Sequence, residues 1–109
     1  MHWNELTSMD QLELLEIQSQ IQPVLIFKHS TRCSISRFAL KQFENEFDLQ
    51  DKIAPYFLDL LNHRDISNEI AFQFNVQHQS PQILLLKNRA VEYHTSHDNI
   101  DATELKKYL

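Results

Sequence analysis

Val24-Leu25-Ile26-Phe27-Lys28-His29-Ser30-Thr31-Arg32-Cys33-Ser34-Ile35-Ser36 is the stretch that decides how this chain folds. It opens after Pro23 on four consecutive apolar residues, the pattern of a strand buried on both faces of a sheet. It closes on a helical pattern beginning near Ser34, where Ile35, Ala39, Leu40, Phe43 and Phe47 recur at three- to five-residue steps with Arg37, Lys41, Gln42 and Glu44 largely on the other face. Between the two lies Cys33, the only cysteine of the chain. A thiol at the first turn of a helix faces unpaired backbone N–H groups and the positive end of the peptide dipole, and both favour thiolate over thiol. The thiolate is the nucleophile. Three residues on, where a dithiol site carries its second sulfur, stands Ser36, so the motif reads C-x-x-S. Such a site can form a mixed disulfide but cannot resolve it internally.

Outward from this stretch the chain alternates strands and helices. His2–Leu6 reads as a short strand, followed by Thr7-Ser8-Met9-Asp10 as a helix start, with a capping hydroxyl and an acid, ahead of Leu12, Leu15 and Ile17 at helical spacing. Ala54–Asp59 reads as a second inner strand, and Asp65 as the cap of a helix whose Ile66, Ile70, Ala71 and Phe74 face inward. Ile83–Leu86 and Ala90–His94 flank Lys87-Asn88-Arg89 as a β-hairpin turned at Asn88. The tail from Asn99, with Ile100, Leu105, Tyr108 and Leu109, is expected to form a last helix. The order β-α-β-α-β-α-β-β-α predicts an α/β fold with a mixed central sheet of four to five strands and helices on both faces, which fits a small thioredoxin-like domain.

Composition narrows the function. The 109 residues suit one domain, 1–109, and the 42% apolar and 23% charged fractions are ordinary for a globular chain. A net charge of −5 without a basic cluster argues against a nucleic-acid partner, because phosphate binding needs grouped Lys and Arg. There is no glycine, which excludes the glycine-rich phosphate cradles of nucleotide-binding loops. Turns with positive φ must then use Asn or Asp, and Asn62, Asn75 and Asn88 fall at expected element ends. Met1-His2-Trp3-Asn4-Glu5 has no basic segment leading into an apolar core, and no apolar run nears the ~20 residues that span a bilayer. The reading is a cytoplasmic protein without a membrane partner, in a compartment that keeps a lone thiol reduced.

The segment Val24 to Ser36, together with Tyr56-Phe57-Leu58-Asp59-Leu60-Leu61, Val76-Gln77-His78-Gln79-Ser80-Pro81-Gln82 and His94 to His97, closely resembles the YtxJ-like family of monothiol bacilliredoxins. The combination of K-H-S-x-x-C-x-I-S with H-Q-S-P-Q is specific, whereas C-x-x-S alone is weak. The resemblance implies a thioredoxin-like fold and an enzyme that removes bacillithiol from mixed disulfides on client proteins, with bacillithiol or a related low-molecular-weight thiol as co-substrate and no bound cofactor. It implies that Cys33 attacks the bacillithiol-side sulfur and is left carrying the small thiol. It also implies a cis Ser80-Pro81 bond beside the sulfur, with the backbone of Ser80 offered to an extended substrate segment as in strand addition. The hairpin turn, commonly glycine-containing in such proteins, is Asn88-Arg89 here.

Each candidate also has a plainer reading. A lone intracellular cysteine is commonly a small buried hydrophobe. Arg32 is either a solvated loop charge or a cation that meets the thiolate or a carboxylate of the small thiol, whose malate portion makes such a neighbour useful. Ser36 is a polar first-turn residue whose hydroxyl can bond the thiolate, and Thr31 either orients the approach to Cys33 or is an ordinary loop residue. Lys28 and His29 end a strand, so alternation sends one toward the reactive turn and the other toward solvent. His29 could pair with Cys33 as a base, but no acyl-transfer machinery accompanies it. His94-x-x-His97 is the tightest pair among six histidines and lacks the further donors a zinc site needs, so no metal is expected.

Two other functions compete: a monothiol glutaredoxin-like protein using another low-molecular-weight thiol, and a non-catalytic thioredoxin-fold binding module that docks a partner strand at Ser80-Pro81. The first is opposed by the missing glycines of the C-G-F-S signature and of the glutathione site. The second would leave partner binding intact after Cys33→Ser.

Overall fold

The apolar run after Pro23 becomes β2 (Val24–His29), the middle strand of a five-stranded sheet, and every one of its residues is buried. The computed structural model describes all residues from Met1 to Leu109. In chain order the elements are β1 (Asn4–Glu5), α1 (Asp10–Gln18), β2, α2 (Ser34–Glu46), β3 (Ala54–Asp59), α3 (Arg64–Phe74), β4 (Gln82–Lys87) and β5 (Ala90–Ser96), followed by two 3₁₀ segments, His97–Asn99 and Ala102–Tyr108. The sheet order is β1-β3-β2-β4-β5, with β1 and β2 parallel to β3, β4 antiparallel to β2, and β5 antiparallel to β4. This is the mixed α/β architecture expected from the order of elements.

Alternation along β2 divides the core into two layers. Val24 and Ile26 pack with Leu12 and Leu15 of α1 and Ile66 and Ile70 of α3, while Leu25 and Phe27 pack with Phe43 and Phe47 of α2 and Leu105 of the C-terminal segment. Burying a side chain such as Phe27 contributes about 1.5–3 kcal/mol, so a strand buried on both faces is the natural keel of so short a chain. Trp3 joins the second layer, stacked on Phe43 at 5.9 Å, with its indole N–H donating to Glu44 Oε2 at 2.7 Å.

Several boundaries differ from the sequence expectation for identifiable reasons. Only Asn4 and Glu5 of the expected His2–Leu6 strand pair with β3, although Leu6 N–H still donates to Phe57 O at 2.9 Å. At α1 no hydroxyl caps the helix; the Gln11 side chain reaches back to accept from Thr7 N and Ser8 N at 2.7 and 2.9 Å. Ile17 turns outward and Glu16 inward, where Glu16 accepts from Gln73 and pairs with Arg89. Asp65 lies inside the first turn of α3 rather than capping it, because the helix already starts at Arg64 with His63 at the N-cap. The tail is 3₁₀ rather than α-helical, and its second segment is capped by Asp101, which accepts from Thr103 N at 2.9 Å.

Without glycine, the positive-φ positions fall to Asn75, Asn88, Arg89 and His97. Asn75 and Asn88 were legible as such; Asn62 does not take this conformation and instead donates to Asp59 Oδ2 at 2.9 Å. Asn88 and Arg89 form the hairpin turn, with φ of 51° and 67°. Ser19 holds that turn, accepting from Asn88 N at 2.9 Å and, through its hydroxyl, from Arg89 N at 2.8 Å. The Arg89 guanidinium completes the tie at 3.3 Å from Glu13.

Candidate active site

The topology collects the candidate residues at one end of the sheet. β2 and β3 run parallel and finish there, α2 and α3 begin there, and β4 starts there with Gln82 paired to Lys28. Cys33 is the N-cap residue of α2, with extended backbone at φ −105° and ψ 121° and a half-buried free thiol. Its N–H donates to Ser30 O at 3.2 Å and its carbonyl accepts from Arg37 N at 3.0 Å, so the backbone of this residue is tied on both sides. The N–H groups of Ser34, Ile35 and Ser36 find no protein acceptor, as the start of a helix dictates. Sγ itself accepts no capping hydrogen bond, which corrects the expectation of a direct amide contact to the sulfur. What remains of that expectation is the oriented dipole of the helix.

Ser36 departs furthest from its reading. It is fully buried, and its hydroxyl lies 2.7 Å from His29 Nδ1 while accepting from Ser30 N at 3.1 Å, so it bonds the turn and not the sulfur. The cause is helical register: Ser36, Leu40, Phe43 and Phe47 form the inward stripe, which leaves Ile35 63% exposed beside the reactive turn. Burial presses the His29 imidazole below its ordinary value, with Asp59 opposing that shift and Arg37 reinforcing it, so the ring is neutral near pH 7. His29 is thus the strand-end residue that faces the reactive turn.

Lys28 does not go to solvent. It is fully buried in the opposite layer, its Nζ donating to Ser67 O at 3.1 Å and lying 3.4 Å from His78 Nδ1. Burial lowers this amine to about 8. His78 and Ser67 were not singled out from sequence; the available signal was Lys28 itself, a cation at an inward position of a strand buried on both sides.

Thr31 and Arg32 are exposed. The Thr31 carbonyl accepts from Arg37 Nη1 at 3.1 Å, and Arg32 makes no ion pair and no hydrogen bond, so its guanidinium is free at the mouth of the site. On the other side of the edge the Ser80-Pro81 bond is cis, as the resemblance implies. Pro81 is buried and its carbonyl accepts from His97 N at 2.9 Å, whereas neither Ser80 N–H nor Ser80 C=O pairs with any protein group. The Ser80 hydroxyl is buried without a partner. An unpaired donor and acceptor on one residue form the smallest unit to which an extended chain can add.

A half-exposed thiol at a helix start, with no second cysteine and a buried serine in its place, admits one-cysteine exchange chemistry. The family profile of monothiol bacilliredoxin BrxC matches residues 4–105. The chain belongs to that family. Among solved structures, a thioredoxin-fold protein provisionally assigned as an oxidoreductase is 32% identical, with 94% of this chain and 89% of that one covered and a TM-score of 0.82. The thioredoxin of Malassezia sympodialis, at 19% identity, TM-score 0.72 and 98% and 87% coverage, shares the fold. So does the thioredoxin of Fasciola hepatica, at 14% identity, TM-score 0.72 and 96% and 94% coverage. This member of the bacilliredoxin family is a thiol–disulfide oxidoreductase with a thioredoxin-like fold. No helix is long and apolar enough to cross a membrane.

Proposed function

We propose that the chain reduces protein–bacillithiol mixed disulfides in the cytoplasm, through Cys33 alone. The observation that carries this reading is the lone, half-buried thiol at the start of α2, paired in the motif with a serine whose oxygen is already committed to His29 and Ser30. The Cys33 thiolate attacks the bacillithiol-side sulfur of a client disulfide. A Cys33–bacillithiol disulfide forms, the client S–S bond breaks, and the client sulfur leaves with the bonding pair and takes up a proton from solvent. Client cysteine is reduced, Cys33 is oxidised, and the number of disulfides is unchanged. A second thiol from outside the chain must then release bacillithiol.

The free N–H and C=O of Ser80 support docking of an extended client segment, and the unpaired Arg32 guanidinium suits a carboxylate of the small thiol. Thr31 contributes through its carbonyl, which anchors Arg37, and Ser36 is a positioning residue. No bound cofactor is required; bacillithiol is a co-substrate. Incubation with a bacillithiolated client, acid trapping and intact mass measurement of both proteins test the proposal. The expected result is loss of the adduct from the client and its gain on Cys33, and neither change with Cys33→Ser. An unmodified Cys33 beside an undiminished client adduct would overturn it.

A further inference from the structure

Beneath the loop that carries Ser80, Lys28, Arg64 and the imidazole of His78 gather, and none of them is in an ion pair. Lys28 Nζ lies 3.4 Å from His78 Nδ1, and Ser67 Oγ lies 3.2 Å from the same nitrogen. Arg64 is one turn ahead of Ser67 on the same face of α3. Its charge and that of Lys28 both press on the His78 imidazole and hold it below its ordinary value, together with burial as the largest cause. The ion pairs of the molecule lie elsewhere: Arg89 with Glu13 and Glu16, Lys106 with Asp48, and Lys107 with Glu104.

The grouping is anomalous in a chain of net charge −5. Arg64 stands in the first turn of α3, the end at which the peptide dipole disfavours a cation and favours an anion. Arg64 and His78 are exposed, so an anion can reach them from solvent, while Lys28 adds its charge from below. His78 is two residues from Ser80, within about 7 Å along the chain. Its Nδ1 faces Lys28 and Ser67 as an acceptor, which leaves Nε2–H as a donor.

We propose that Arg64 and His78, backed by Lys28, form a carboxylate-binding subsite that takes the acidic end of the low-molecular-weight thiol whose sulfur exchanges at Cys33. The subsite rests on the exchange reaction proposed above and adds where the other end of the small molecule lies. Arg64 offers a two-pronged donor to a carboxylate and His78 a single one. The carboxylate is unchanged by the reaction, so the subsite acts on binding and selectivity, and the bond changes remain those at sulfur.

The test compares exchange rates on two clients, one carrying mercaptosuccinate in its mixed disulfide and one carrying uncharged mercaptoethanol. The native protein is expected to favour the mercaptosuccinyl client, and Arg64→Ala or His78→Gln to lower the ratio of the two rates by about tenfold, the scale of one charge-assisted hydrogen bond. A ratio unchanged by both substitutions overturns the subsite, including the case in which both rates fall together. If the native protein exchanges with neither client, the exchange reading fails and a second measurement judges the subsite alone. In that measurement, free malate is titrated into the native protein while the His78 ring resonances are followed by NMR. Saturable shifts that vanish in Arg64→Ala support the subsite, and their absence from the native protein overturns it.

Discussion

The Ser36 hydroxyl stands 2.7 Å from His29 Nδ1 and 3.1 Å from the Ser30 amide nitrogen, so one buried oxygen closes the turn between β2 and α2. Because Ser30 N–H must donate, Ser36 O–H donates onward to His29, and the pattern assigns the imidazole proton to Nε2. The position that holds the second sulfur in a dithiol site is here a strut that sets where Cys33 is presented.

Ser36→Ala is expected to cost about 1–3 kcal/mol, since it leaves the Ser30 N–H and His29 Nδ1 without their buried partner. The exchange rate at Cys33 should fall with it, while the rate of a small uncharged alkylating agent changes less. Urea unfolding and paired rate measurements check both parts. A loss of less than about 0.5 kcal/mol, the size of an ordinary surface change, would remove Ser36 from this role.

Burial lowers Lys28 from 10.5 to about 8. In the unfolded chain the amine regains its ordinary affinity, so between those two values the unfolded state holds more protons than the folded one. Stability therefore rises with pH across that window, and the penalty is fully present below it. The rise is expected to be about 1–3 kcal/mol, and Lys28→Met should abolish it. Urea midpoints of both proteins from about pH 7.5 to about pH 10 decide the matter, and parallel curves would assign the rise to another group.

At the hairpin turn, Asn88→Gly is expected to leave stability unchanged or slightly raised, while Asn88→Val lowers it by about 1–2 kcal/mol because a β-branched residue resists positive φ. Thermal unfolding of the two variants should separate them by several degrees. Equal midpoints would show that the ties from Ser19 and Glu13, not the backbone preference of residue 88, set the turn.

What could be read in the sequence was what lies close together along it. The run Val24–Phe27, the helix start after Cys33 and the C-x-x-S spacing sit within one short stretch, and their periods switch cleanly from strand to helix. The left-handed turns at Asn75 and Asn88 were legible because no glycine competed for them. The direction of Ser36 was not, because Ile35 is the apolar residue of that pair and pattern alone assigns it to the core. Tertiary register overrides this, aligning Ser36 with Phe43 and Phe47 and leaving Ile35 outside. The cationic group was hidden for another reason: Lys28 meets Ser67 across 39 residues and His78 across 50, separations over which periodicity carries no information.

Lys28 and His29 are consecutive, yet they reach into opposite layers, one to α3 and the loop before Pro81, the other to the turn before α2. The two sides of the site are therefore moored to a single dipeptide, and the segment that starts at His97, which donates to Pro81 O at 2.9 Å and packs on α2, ties one side to the other.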